Sequence, residues 1–139
     1  MQKVIVSRGA WSEDVKARLA PACDQFLPVD ELRDAIERGD MTLFSVKQYG
    51  DEVCNFVLRL DGDEDSLELV VVAGGGYLAG GSLFAVCTPY IEEVARQCGA
   101  KYLRGHVNSK AKAKLMERAG YEQTEIVFRK EVSNGRQIQ

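Results

Sequence analysis

The sequence predicts a mixed α/β (α+β) domain, a mostly antiparallel sheet flanked by helices in the order β-α-α-β-β-β-α-β-α-β. Three observations predict it. Short apolar or β-branched runs recur between glycine and acidic turn signals, first at Val4–Arg8 and then three times in succession between Thr42 and Val72. Two stretches with apolar residues at helical spacing lie between the first run and the other three. A third and longer helical stretch separates the last of those runs from a further strand, Lys101–Val107, as expected for a crossover between parallel strands, giving one right-handed βαβ unit.

Taken in order, Val4–Arg8 alternates and forms the first strand. Ser12 is placed to cap a helix running to about Ala20, with Glu13 and Asp14 in the first turn where the helix dipole favours them. Pro21 interrupts, and Asp24–Leu27 continues irregularly. Asp30–Arg38 is a second helix with Leu32, Ala35 and Ile36 on one face and Gly39 as its stop. Thr42–Tyr49 and Glu52–Leu60 are joined by the hairpin signal Gly50-Asp51, and an acidic turn at Asp61–Asp65 leads into Leu67–Val72. That acidic run lacks the length and terminal glutamate of a helix-loop-helix calcium loop and is a solvated turn.

After the glycine-rich stretch Ala73–Gly81, the residues Leu83, Val86, Cys87, Tyr90, Ile91, Val94 and Cys98 fall at helical spacing. Pro89 leaves two starts open, one capped by Thr88 and one near Ser82 with a kink. Gly99 ends the helix. Asn108 or Ser109 caps a short helix to Ala119, and Glu125–Val132 is expected to complete the sheet. Residues 1–132 therefore read as one domain, and the polar tail 133–139 is expected to fray.

A chain of 139 residues with 45% hydrophobic content can bury a core. Its net charge of −3 argues against a broadly basic nucleic-acid binder, and no apolar run approaches the ~18 residues of a membrane span. The polar N-terminal residues do not resemble a signal peptide, so a cytoplasmic protein is expected. Cys23, Cys54, Cys87 and Cys98 form no CxxC pair and only one histidine, His106, is present, which gives no local zinc motif. The cysteines read as reduced, small apolar residues, with a Cys87–His106 nucleophile pair as the alternative that composition alone permits.

The glycines admit three phosphate-binding readings. A Walker A loop needs Gly-Lys-Ser/Thr, and no lysine lies between Lys47 and Lys101. Gly74-Gly75-Gly76-Tyr77-Leu78-Ala79 satisfies G-x-G-x-x-G/A, but it follows the fourth strand rather than the first and lacks the acidic residue about twenty positions on. The third reading is a family resemblance. Tyr77-Leu78-Ala79-Gly80-Gly81-Ser82 stands where the GCN5-related N-acetyltransferases (GNAT) carry Q/R-x-x-G-x-G/A at the start of the helix after the fourth strand. Asn108 matches the family's asparagine after the fifth strand, and Met116-Glu117-Arg118-Ala119-Gly120-Tyr121 is similar to its Y-x-x-x-G-F helix end. The resemblance covers Val4–Val132, and in outline the chain also resembles GNAT-like proteins encoded by bacteriophages.

The resemblance implies acetyl-CoA as cofactor. Tyr77, Leu78, Ala79, Gly80, Gly81 and Ser82 would hold its pyrophosphate at a helix N-terminus, and Val72 would line a V-shaped opening between the fourth and fifth strands that takes the pantetheine arm. Asn108 and Lys112 would meet the remainder, although Lys110, Lys112, Lys114 and Arg118 equally form a solvated basic face over Ala111 and Leu115. The departures are Tyr77 in place of the leading basic or amide residue, Ser82 in place of the last small one, and Met116 where many members place a tyrosine acid. Glu68 is the candidate general base and Tyr121, with Tyr90, a candidate substitute acid, each also readable as a structural residue. The acceptor would be a small-molecule or protein amine. The alternative is a catalytically inactive GNAT-fold phage protein with a structural or host-protein-binding role. A homodimer is compatible with either, and neither a membrane nor a nucleic acid is expected as partner.

Overall fold

The computed structural model describes residues 3–107 and 109–132. Its sheet has five strands lying side by side in chain order: β1 (Val4–Arg8), β2 (Thr42–Gln48), β3 (Asp51–Asp61), β4 (Glu68–Gly76) and β5 (Tyr102–Gly105). The first four pair antiparallel, and β4 pairs parallel to β5 through the crossover helix α3 (Leu83–Cys98). The helices before and after are α1 (Glu13–Leu19), α2 (Val29–Arg38) and α4 (Lys110–Arg118). Pro21 falls in a single 3-10 turn that closes α1. The mixed sheet, its helices and the position of every element through α4 agree with the predicted order. The β2–β3 turn sits one residue earlier than predicted, on Tyr49 and Gly50, both left-handed with φ of 56° and 85°.

Each strand's alternation sends side chains to one of two cores. Phe44, Val46, Cys54, Phe56, Leu58, Leu69 and Val71 face α3, where they meet Cys87, Ile91 and Ala95. Phe44 stacks on Phe56 at 5.1 Å and takes the Tyr90 ring edge-on at 5.9 Å. Leu43, Val57 and Ala73 face the other way, against Val15 and Leu19 of α1 and Leu32 of α2.

Two features let α1 sit close to the sheet. The first is Gly75, which pairs with Asn55 inside β4; a Cβ there would lie 1.9 Å from the Arg18 carbonyl oxygen. The predicted strand therefore extends further than expected. Gly74, Gly75 and Gly76 are paired residues of β4 rather than its exit; at Gly75 a helix backbone crosses over the strand, and at Gly76, with φ of 112°, a Cβ would lie 2.3 Å from the Val53 carbonyl oxygen of β3. The second feature is a polar network beneath α1. Arg18 donates from Nη1 to Glu52 Oε1 at 2.8 Å and to Asn55 Oδ1 at 3.1 Å, and from Nη2 to the Glu52 carbonyl at 3.0 Å. Ser45 Oγ donates to Glu52 Oε2 at 2.5 Å, and Asn55 Nδ2 donates to the Phe44 carbonyl at 3.2 Å. Asn55 is fully buried, and this network satisfies it. Burial pushes the Glu52 carboxyl up, but hydrogen bonds from Ser45, Asn55 and Arg18 and the Arg18 charge outweigh it and hold the carboxyl below its ordinary range.

The register between β3 and β4 slips at one point, with Val57 opposite Ala73 and Leu58 opposite Val71, leaving Val72 as the bulged residue. On the other side of β4, pairing to β5 ends at Val71↔Gly105. Beyond that point β4 runs on through Val72, Ala73, Gly74, Gly75 and Gly76 with β3 on one edge and, among the described residues, no strand on the other.

Two expectations are settled differently or more sharply. Helix α3 starts at Ser82, not at Thr88, and runs unbroken through Pro89. The proline removes one N–H in a helix that already has Thr88 Oγ1 donating back to the Phe84 carbonyl. The strand expected over Glu125–Val132 does not form: residues 121–132 pair with no strand. Ile126, Phe128 and Val132 would share one face of a strand, but in this segment those side chains stay exposed and bury no surface against the sheet. The Arg129 guanidinium instead lies 3.7 Å over the Phe26 ring, in the connection between α1 and α2.

Gly75→Ala is expected to lose about 1–3 kcal/mol of stability by overpacking α1 against β4, read from urea unfolding. An unchanged midpoint would contradict the close approach. The lowered Glu52 carboxyl contributes stability that is present above the unfolded value of about pH 4.3 and is lost as pH falls through the lower folded value. Glu52→Gln is therefore expected to destabilise the neutral protein while flattening its loss of stability below about pH 4.3. An unchanged acid slope in that variant would contradict the network.

Candidate active site

The predicted pyrophosphate loop follows β4 directly. Tyr77 is exposed, with only its backbone tied down, its N–H donating to the Val53 carbonyl at 3.3 Å. Leu78 turns inward and is buried in the α3-side core. Ala79 is clamped at both backbone atoms: its N–H donates to Gln48 Oε1 at 3.1 Å and its carbonyl accepts from Gln48 Nε2 at 3.0 Å. Gly80 is left-handed at φ 85° with nothing near its Cβ direction, the conformation that glycine adopts at least cost. Ser82 caps α3, its Oγ accepting the Ala85 N–H at 3.1 Å. Among the described residues, no acceptor takes the N–H groups of Gly80, Gly81, Ser82, Leu83 or Phe84. They are free donors at the positive end of a helix of 16 residues.

The loop follows directly on Val72–Gly76, the stretch of β4 whose β5-side edge is unpaired, so the donors and the open edge are contiguous in the chain. At the apex, where β5 stops pairing, lies Met116 of α4. A Cβ on Gly105 would be 2.8 Å from Met116 Cε and 3.7 Å from the Val71 carbonyl oxygen. Met116 is buried. Ser109 caps α4 through the Lys112 N–H at 3.2 Å, and Lys112 stands one turn before Met116 on the same helix face. That inward face carries Lys112, Ala113 and Met116, while the predicted apolar position Ala111 is exposed. Asn108 lies outside the described residues.

The opposite side of the apex is charged. Leu69 and Val71 face α3, so Glu68 and Val70 face the α1–α2 side, and on β5 Arg104 alternates likewise with Leu103 and Gly105. Arg104 Nη2 donates to Asp61 Oδ2 at 2.8 Å, and its Nη1 lies 2.8 Å from Glu68 Oε2. Arg59 Nη2 donates to the same Asp61 oxygen at 3.2 Å. The Arg59 charge, the Arg104 and Arg59 hydrogen bonds and the Arg104 charge hold the Asp61 carboxyl below its ordinary range, against a small cost of burial.

The structure separates the two predicted catalytic residues. Glu68 lies on the α1–α2 face, three residues before the apex residue Val71, or about 10 Å along the strand. Tyr121 lies on the α3 side, beside Thr88 and Glu92, with its backbone N–H on the Met116 carbonyl at 3.0 Å. Burial pushes the Tyr121 phenol up; the Thr88 hydroxyl opposes this and the Glu92 charge adds to it. Tyr90 is packed on Phe44 as a core residue. The Cys87–His106 alternative is not assembled: Cys87 is sealed in the core, its thiol pushed up to about 12 by burial and by Cys54, whereas His106 is exposed. Among the described residues, no group of three or more His, Cys, Asp or Glu side chains is placed to hold a metal, and no helix is long and apolar enough to cross a membrane.

Gln48 and Arg104 were missed as site residues. Both carried a signal in their alternation: Gln48 shares a strand face with Phe44 and Val46, and Arg104 sits beside the apex residue with Glu68 across the sheet.

No protein-family model matches the sequence, and no curated protein matches it. Solved structures do. A glucosamine-6-phosphate N-acetyltransferase from Arabidopsis thaliana superposes with a TM-score of 0.63 at 9% identity, covering 94% of this chain and 99% of the other. An aminoglycoside N-acetyltransferase in complex with CoA gives 0.66 at 9% identity over 94% and 96% of the two chains. A Trypanosoma brucei acetyltransferase gives 0.62 at 11% identity over 94% and 100%. At these identities the likeness is one of architecture: the chain has a GNAT-like mixed α/β fold, the fold of known acetyltransferases.

Proposed function

We propose that the protein is an acetyl-CoA-dependent N-acetyltransferase acting on an amine. The observation that carries this reading is the pairing of a strand edge left open at Val72–Gly76 with free N–H donors at Gly80–Phe84 beside it. An open edge accepts an extended amide-containing chain by the hydrogen bonds a strand would make, and the donors suit a pyrophosphate. The residues fit the group in these respects, with Val72, Gly80, Gly81 and Ser82 as its contacts and Lys112 on the inward face of α4. Leu78 and Ala79 serve by shaping the loop: one is buried, and the other spends both backbone atoms on Gln48. Tyr77 adds no charge at the position where the family carries a basic or amide side chain.

Bound acetyl-CoA supplies an acetyl group activated as a thioester. The chain's part is to orient an acceptor amine and take its proton, and Glu68, on the face opposite Met116, is the proposed acceptor of that proton, directly or through water. Met116 has no proton to give, so protonation of the departing sulfur falls to solvent. The same methionine favours a second reading, a GNAT-fold protein that binds without transferring and serves a structural or host-interaction role for a phage.

Tyr77→Arg is expected to tighten acetyl-CoA binding about tenfold by adding a charge-assisted hydrogen bond, read by titration calorimetry. Gly80→Asp, which tolerates the left-handed backbone, is expected to weaken it more than tenfold, with Gly80→Asn as the neutral control. Equal affinities across all three variants would refute the loop's role. Binding without CoA release in the presence of an amine panel would favour the second reading.

A further inference from the structure

The charged cluster on the α1–α2 face has a chemistry that the reading above leaves unused. Asp61, Glu68, Arg59 and Arg104 sum to zero charge and share their ion pairs: Asp61 Oδ2 meets both guanidiniums, and Arg104 meets both carboxylates. Their polar valence is not filled. Arg59 Nε, Arg104 Nε and Glu68 Oε2 are buried atoms with no well-aligned hydrogen-bond partner among the described residues. Glu68 Oε2 and Arg104 Nη1 are 2.8 Å apart, close in charge but not aligned as donor and acceptor. Three orphaned atoms in one cluster are unusual, since buried polar groups are almost always paired. The side chains are nonetheless about one-third exposed at Arg59, Arg104 and Glu68, so the cluster can be reached. Three of its members, Asp61, Glu68 and Arg104, line a depression of about 430 Å3 together with Gly62 and Ser66, at the small end of ligand-site sizes, while Arg59 stands behind Asp61. Arg104 is the neighbour of Gly105, where the opening beside β4 begins.

We propose that this depression is the acceptor site and that it takes a zwitterion, an α-amino acid whose carboxylate is held by Arg104 and whose ammonium is held by Glu68 and Asp61. This deepens the acetyltransferase reading and rests on it for the word acceptor. A plain cation such as a polyamine meets two guanidiniums here, and a plain anion meets two carboxylates. A ligand carrying one charge of each sign can instead exchange partners with the Arg104–Glu68 pair. Its carboxylate replaces Glu68 on the guanidinium fork, a geometry arginine favours, and its ammonium replaces Arg104 on Glu68. Charge is conserved in the exchange, and Glu68 Oε2 gains an aligned donor. Glu68 is then released from Arg104 and placed against the amine nitrogen.

The test is calorimetric and uses the full chain without acetyl-CoA. Leucine, serine and lysine are each titrated against their decarboxylated amines and their Nα-acetyl derivatives. At least one amino acid is expected to bind about tenfold or more tightly than both of its derivatives, the ratio one charge-assisted hydrogen bond gives. Arg104→Gln is expected to erase the preference for the carboxylate, and Glu68→Gln the preference for the free amine. Circular dichroism and thermal unfolding check the fold of each variant, and Arg104→Lys, which keeps the charge but loses the planar fork, serves in place of Arg104→Gln should that chain not fold. Equal binding of amino acids and amines, or a preference that survives Arg104→Gln, overturns the proposal. Because acetyl-CoA takes no part, that failure leaves the transferase reading standing. Loss of acetyl-CoA binding in a separate titration would remove the transferase reading and leave a zwitterion site.

Discussion

The site depends on one constraint, that β4 continues through Val72, Ala73, Gly74, Gly75 and Gly76 after β5 has stopped pairing at Gly105. The bulge at Val72 falls at the same level, so the strand is bent where it loses its neighbour. A parallel pair that stayed closed would spend the backbone donors and acceptors of these residues on β5. By parting, it exposes an edge, and a soluble protein rarely leaves a strand edge open without covering or using it. The same departure aims the start of α3 at that edge, and Met116 closes its apex from the α4 side.

Past Gly105 β4 keeps β3 as its only strand neighbour among the described residues, and it is supported on one face as well. That support is α1, which lies so close that only glycine fits at position 75, and which is tied to β3 through Arg18, Glu52 and Asn55. The two faces of the sheet then divide the chemistry. On the α3 side the apex is apolar, with Met116 and a core that includes Cys87. On the α1 side it is charged and partly open, with Arg104 between Asp61 and Glu68. A reaction run at this apex would proceed without an acid from α4 and with a carboxylate already engaged by an arginine.

Most of the architecture was legible in the sequence because it is written in local signals. The hairpin glycine at 50, the caps at Ser12, Ser82 and Ser109, and the stops at Gly39 and Gly99 each report a backbone requirement of their own neighbourhood. The glycines of 73–81 were partly misread for the opposite reason. Gly75 is required by the backbone of Arg18, 57 positions earlier in sequence, and nothing local distinguishes such a glycine from one that ends a strand. The expected last strand failed on a similar ground: its local signal was present, with Ile126, Phe128 and Val132 alternating onto one face, but no strand pairs with it among the described residues and Arg129 lies over Phe26 instead. Among candidate site residues, Gly80 and Ser82 stand out by motif. Arg104 and Gln48 needed the register of neighbouring strands, which fixes what a side chain faces and is not spelled out along any one strand.

The most direct measurement is a titration of the isotope-labelled protein with acetyl-CoA, followed through backbone amide resonances. The account predicts that the largest shifts cluster at Val72–Gly76 along the open edge of β4 and at Gly80–Phe84 at the start of α3. Shifts confined to other surfaces, or none at millimolar ligand, would contradict it.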